Sequence, residues 1–269
     1  MIRDITIGQY YQTDSVIHKL DPRVKLAGTV IFLISLFLGK SVPLYVLGAL
    51  FLAMAIKISK VPFKFIVKGL KAVLFILIFS TVFTIFLTEG TVLIRIWKLT
   101  ITLEGLITAA YMVIRLLMLI IGSSLLTLTT TPNNLTDGME RSLGFLKIFR
   151  VPVHEVAMMM SIALRFIPIL IEETDKIMKA QTARGADFEH GNIIQKAKAM
   201  VPLLVPLFVS AFRRANDLAM AMEARCYRGG NGRTKMKPLK YKKRDYIAYL
   251  VLFAYLALMI VVRNVFPVS

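Results

Sequence analysis

With 269 residues, 57% of them hydrophobic, and a mean hydropathy of +0.68, the chain is too apolar for an ordinary soluble domain and reads as an integral membrane protein. Its 34 Lys+Arg against 16 Asp+Glu give a net charge of +18, which suits anionic headgroups or an acidic protein partner, while the apolar spans argue against nucleic acid. The single cysteine, Cys226, excludes an intrachain disulfide framework, and His18, His154 and His190 lie too far apart in sequence for metal-ligand spacing.

The opening MIRDITIGQYYQTDSVIHKLD is polar and lacks the short apolar core and cleavage site of a secretory signal, so the first apolar run is expected to be a retained span. A crossing helix needs about twenty apolar residues, because the hydrocarbon core is ~30 Å thick and each residue rises ~1.5 Å. Five stretches meet or approach this: 24–39, 42–56, 69–88, 105–128 and 246–268. The first two are short and joined by a few residues including Lys40, Ser41 and Pro43, and read as a tight hairpin that need not reach full depth. Between the second and third spans stand Lys57, Lys60, Lys64, Lys68 and Lys71 with no acid among them, which places that loop in the cytoplasm. The N-terminus, with Arg3, Lys19, Arg23 and Lys25, is then cytoplasmic too. The loops bearing Lys40, and Arg95 with Lys98, are external, and the last span carries the C-terminus out.

Residues 129–245 hold most of the remaining positive charge and two further apolar runs, 156–171 and 199–212. As a transmembrane hairpin these would put Lys176, Lys179, Arg184, Lys196 and Lys198 outside, against the charge rule that the other loops obey. Their periodicity points to amphipathic helices instead. Val156, Met159, Ala163, Phe166, Leu170 and Ile177 share one stripe, opposed by Arg165, Glu172, Lys176 and Lys179. Ile193, Ala197, Met200, Leu204, Leu207, Ala211, Leu218 and Ala221 form another, opposed by Lys196, Lys198, Arg213, Arg214, Asp217 and Glu223. Thr131 and Pro132 are placed to start a shorter helix over 132–148. Pro152 opens the first rod and Gly185 is placed to stop it. The second rod follows EHGN at 189–192, is expected to bend at Pro202 and Pro206, and ends before YRGGNGR. The expectation is two long rods packed by their apolar faces, the first about 45 Å long, with Arg184 and Arg225 at their ends.

A helix dipole alone favours an arginine at a C-terminus, and glycine is a common stop there. Two consecutive rods ending in Ala-Arg followed by a small residue ask for more. Ala183, Gly185, Ala224 and Cys226 leave room for Arg184 and Arg225 to enter a groove and pair bidentately with a carboxylate. The basic run 228–244 reads as the cytoplasmic flank of the last span. Arg115 lies inside the fourth span, where a charge is either functional or a snorkelling or acid-paired structural group. Met158, Met159, Met160, Met178, Met200, Met220 and Met222 load the rods with an adaptable side chain, for repacking against partners or for core filling. No phosphate-binding G-x-x-x-x-G-K-[ST] is present; the tempting GKS at 39–41 has Ile34 where the first glycine belongs. Nor is there a G-x-S-x-G, an H-E-x-x-H or a paired His/Cys ligand set, so an energy-consuming role would need a nucleotide held by another chain.

SVIHKLDPRVKL at 15–26, with Asp21-Pro22-Arg23 ahead of the first span, and the tips TARGADF and EARCYRGG resemble the transmembrane (T) component of energy-coupling factor transporters, the CbiQ-like family. The likeness covers essentially the whole chain. Cys226 departs from the glycine frequent at that position of the family's second tip. The resemblance implies an all-α polytopic membrane protein with about five transmembrane helices and long amphipathic coupling helices, divided into 1–128, 129–245 and 246–269. It implies a bacterial cell membrane, and a non-enzymatic subunit with no cofactor of its own, ATP and Mg belonging to two homologous cytosolic ATPase subunits. Ala183-Arg184-Gly185 and Ala224-Arg225-Cys226 would dock those subunits, and a small membrane-embedded substrate-binding (S) subunit would complete the complex for uptake of vitamins or other micronutrients. A self-sufficient channel or secondary carrier is the alternative; it would need ion-coupling groups in the spans, where Arg115 stands nearly alone, with Glu89 and Glu104 at the outer ends. A membrane-bound enzyme lacks any acid, base and nucleophile constellation.

Overall fold

The computed structural model describes residues 10–39, 41–71, 73–96, 99–188, 192–230, 236 and 238–265. Arg3, Lys40, Lys98, His190, residues 189–191 and most of 231–237 lie outside the described residues. Two compact units form: one from residues between 10 and 142 with 239–265, the other from residues between 143 and 238.

In the first unit, α1 (Pro22–Ser35) starts where the Asp21 side chain accepts a hydrogen bond from Arg23 N at 3.0 Å and Pro22 supplies a preset φ. Its 14 residues span about 21 Å, short of the hydrocarbon thickness, in keeping with a hairpin of reduced depth. The chain then forms α2 (Val42–Ser59), α3 (Phe63–Lys71), α4 (Leu74–Leu87), a hairpin of β1 (Val92–Ile96) and β2 (Leu99–Thr102), α5 (Leu103–Thr129), α6 (Pro132–Ser142) and, after the other unit, α9 (Lys243–Val265). The stretch expected as one span over 69–88 is therefore divided. Residues 63–71 form a separate helix whose Ile66 is fully buried beside Val61 and Leu128, and the apolar run begins afresh at Leu74. The antiparallel hairpin, with Ile94 opposite Ile101 and Ile96 opposite Leu99, was not foreseen; its β-branched residues stand between two helices in a stretch read as a loop.

The core of this unit lies between α1, α2, α5 and α9, where Phe32, Leu36, Tyr45, Leu52, Met118, Tyr255 and Met259 are buried together. In lipid such helices gain little from hydrophobic burial and hold by close packing. Glycine provides it: a Cβ on Gly122 would stand 2.6 Å from Phe32 Cε1, and one on Gly48 2.8 Å from Met118 Cε. The Ser35 hydroxyl adds an interhelical bond to Tyr255 OH at 2.7 Å, of a kind contributing ~0.6 kcal/mol in membranes.

The second unit holds a 3-10 segment (Leu143–Phe149), α7 (Val153–Ala183) and α8 (Ile193–Ala224). Among the described residues, α2, α5, α7 and α9 are long and apolar enough to cross a membrane, and α4 is a shorter apolar helix. With the helices dominating both units, the protein is an all-α polytopic membrane protein. By length and composition α7 joins the spanning class, although its polar stripe gave an amphipathic reading in sequence.

Candidate functional site

The two rods are continuous helices, and α8 runs through Pro202 and Pro206 without interruption. They meet in opposite directions. Glu173 of α7 accepts from the Ser210 hydroxyl and, at 2.9 Å, from the Arg214 guanidinium, whereas Gln181 Nε2 donates to Pro202 O at 3.3 Å. The last contact follows from the prolines: Pro206 has no N–H to offer the carbonyl four residues earlier, so Pro202 O is free for the neighbouring helix. Packing of the apolar stripes is partial. Phe166, Leu170 and Ile177 on α7 and Leu207, Ala211 and Leu218 on α8 are half-buried, while Val156, Met159, Met200 and Leu204 remain exposed. The expected facing of whole stripes is thus only partly realised. Ile193, Lys196 and Ala197 have no described side chains.

At their C-termini the rods share one backbone solution. Arg184 caps α7, Gly185 N–H bonds to Thr182 O at 2.9 Å and Ala186 N–H reaches back to Gln181 O at 3.0 Å. Arg225 caps α8, Cys226 N–H bonds to Glu223 O at 2.8 Å and Tyr227 N–H to Met222 O at 3.0 Å. Both are Schellman motifs, which satisfy carbonyls that a helix end leaves unpaired. The residue after each arginine has positive φ, 92° at Gly185 and 55° at Cys226. Positions 185 and 226 therefore set the backbone turn. A Cβ on Gly185 would meet nothing within 4 Å, so within the chain its requirement is conformational rather than one of space.

The six tip residues are all exposed. Among the described residues neither Arg184 nor Arg225 has an ion pair or side-chain hydrogen bond. Because the rods are antiparallel, the tips do not lie together. Gln181 touches Pro202, Arg225 is about 23 residues further along α8 and Arg184 about 3 residues the other way along α7, so at ~1.5 Å per residue the arginines stand on the order of 40 Å apart.

Asp21-Pro22-Arg23 belongs to a clamp in the first unit. Arg23 Nε and Nη2 each donate to the Asp21 carboxylate at 3.0 Å; its guanidinium lies 4.0 Å from the centre of the Tyr241 ring. Burial pushes the Asp21 carboxyl up, but the hydrogen bonds and charge of Arg23 hold it below the ordinary aspartate value. Asp245, 1% exposed, accepts from Asp21 N at 2.8 Å and Lys242 N at 2.7 Å, fixing the start of α9 to the start of α1. Asp245 escaped the sequence reading; its only signal was an acid at the end of a strongly basic run. Arg115, whose role sequence left open, donates from Nε and Nη2 to the Tyr45 hydroxyl at 2.9 and 2.6 Å and lies 5.2 Å from the centre of the Phe37 ring. Among the described residues no carboxylate pairs with it. No group of three His, Cys, Asp or Glu among the described residues could hold a metal ion.

Residues 13–236 match the family CbiQ, described as cobalt transport protein. The chain is also similar to proteins named energy-coupling factor transporter transmembrane protein EcfT. That of Clostridium kluyveri is 58% identical over 93% of both chains. That of Ruminiclostridium cellulolyticum is 52% identical over 99% of this chain and 100% of its own length, and that of Bacillus subtilis 47% identical over 98% and 100%.

Proposed function

Since the chain belongs to the CbiQ family and is a transmembrane component of an energy-coupling factor transporter, we propose that it is the non-catalytic subunit through which two cytosolic ATPases drive a membrane-embedded substrate-binding subunit. The observation that carries this reading is the pair of matching tips. Arg184 and Arg225 leave their helices on the same backbone turn, exposed and without an acidic partner among the described residues, on the order of 40 Å apart along antiparallel rods. Two sockets of one kind would each receive one guanidinium against carboxylates, so two homologous ATPases suit the geometry. Ala183 and Ala224 precede the arginines without bulk; Gly185 and Cys226 turn the chain away behind them.

The exposed apolar ends of the rods, including Met159, Met160, Met200 and Met220, supply a surface that repacks as the ATPases open and close, and the substrate-binding subunit is its proposed occupant. In this arrangement residues 1–128 and 246–269 form the membrane portion and 129–245 the cytoplasmic coupling portion, with the N-terminus inside and the C-terminus outside; α7 is long and apolar enough to span, but spanning would carry Lys176, Lys179 and Arg184 out against the charge rule. ATP and Mg belong to the partner ATPases, and the cargo class is a vitamin or other micronutrient chosen by the substrate-binding subunit. Arg115, held by Tyr45 and aromatic rings, has no carboxylate partner among the described residues that would favour a self-sufficient carrier.

Replacing both Arg184 and Arg225 by Ala should release the ATPases when the tagged chain is purified in detergent, and should abolish uptake. Each single replacement should do less, removing one charge-assisted contact of ~1.5–3 kcal/mol. Full transport by the double variant would overturn the reading, and transport by the purified chain alone in liposomes would favour a carrier.

A further inference from the structure

Where α1 and α9 begin and α2 and α5 finish, the first unit forms an open-sided cavity of about 310 Å³. Phe32 and Leu252 form buried parts of its wall, while the exposed Met54 and Val251 stand at its rim, so it opens to the outside of the helix group. Its lining is apolar except at one end. The charged groups lining it, among the described residues, are both cations: Lys25 and Arg244.

Two carboxylates stand near these cations, Asp21 and Asp245, and both have their oxygens engaged. Asp21 is engaged by Arg23, and both oxygens of Asp245 accept backbone N–H groups. Lys25 Nζ donates to His18 O at 3.1 Å and Thr129 O at 2.8 Å, which leaves one of its three donors. Arg244 Nε is buried without a hydrogen-bond partner among the described residues. Arg23, Lys25 and Arg244 outnumber Asp21 and Asp245 by one, so this end of the cavity keeps a net positive charge in partly buried surroundings, which an anion would offset.

We infer that this cavity binds an anionic phospholipid, with an acyl chain along the apolar wall and the phosphate against Arg244 and Lys25. A free inorganic anion would leave the apolar wall bare, and a zwitterionic lipid would bring its own cation to the site. The volume lies near the lower end of the ~300–1,000 Å³ of small-molecule sites, suited to one chain with the remainder of the lipid outside. The inference does not rest on the coupling role of the arginine tips.

The test is native mass spectrometry of the full-length chain, purified with whatever subunits accompany it, titrated with dioleoyl phosphatidylglycerol and separately with dioleoyl phosphatidylcholine. One phosphatidylglycerol per chain should bind in preference to phosphatidylcholine. Arg244→Gln should weaken that preference about fivefold, the contribution expected of one basic group near an anionic lipid, while Arg244→Lys should largely keep it. Ala248→Phe, which fills the cavity, should lower binding of both lipids. Millimolar inorganic phosphate should not displace the lipid. Equal affinity for the two lipids, an unchanged preference in Arg244→Gln, unchanged binding in Ala248→Phe, or displacement by phosphate would each overturn the inference; coincident gel-filtration profiles and melting temperatures establish that the variants are folded.

Discussion

At the residue after each tip arginine, backbone conformation limits the choice of side chain. Gly185 has φ 92° with open space where a Cβ would stand, so Gly185→Ala should fit yet cost about 1–2 kcal/mol of local stability, because left-handed backbone is unfavourable for L-residues. Faster amide hydrogen exchange at Ala186, whose N–H closes the turn onto Gln181 O, should report it. Cys226→Gly should act in the opposite direction at Tyr227, slowing exchange; no change in either variant would remove the conformational argument. The glycine stop at 185 was legible in sequence because glycine is the usual residue there. Cys226 was legible only by register with Ala183-Arg184-Gly185, since cysteine has no special liking for positive φ.

The helical repeat identified both rods but not how they face one another. Their stripes contain more apolar residues than the contact uses, and the register is set by polar groups: Glu173 with Ser210 and Arg214, and Gln181 with the carbonyl that Pro206 frees at Pro202. The Glu173–Arg214 pair is a modest fastener, because the Arg214 side chain is 39% exposed. A double-mutant cycle with Glu173→Gln and Arg214→Gln, read by denaturant unfolding in detergent, should give a coupling of about 0.2–1 kcal/mol. Several kcal/mol would mean a tighter, drier interface than the structure shows. The same limit on sequence reading explains the divided third span. Mean hydropathy joins the last residues of α3, 69–71, to α4 and leaves the rest as a basic loop, whereas the burial of Ile66 against Leu128, a tertiary contact, separates α3 as its own element. The strands were hidden likewise, since the stretch 88–102 between two apolar helices first suggests a connection.

For the whole molecule, the membrane character, the order of helices and the two arginine tips could be read from the chain, because each rests on local pattern. What could not be read was long-range pairing. Asp245 joins Asp21 across most of the sequence, and Arg115 finds the hydroxyl of Tyr45 rather than an acid. The antiparallel sense of the rods belongs to the same group, and it changes the meaning of the repeated tip: matching ends that point apart can serve two separate sockets. That claim is tested most directly by cross-linking within the assembled transporter, using a short-arm photoactivatable reagent on the native Cys226 and on a cysteine introduced as Ala183→Cys. A chain labelled at both tips should yield an adduct carrying two ATPase subunits, and a chain labelled at either tip an adduct carrying one. An intact complex in which the doubly labelled chain captures no more than one ATPase would contradict the account.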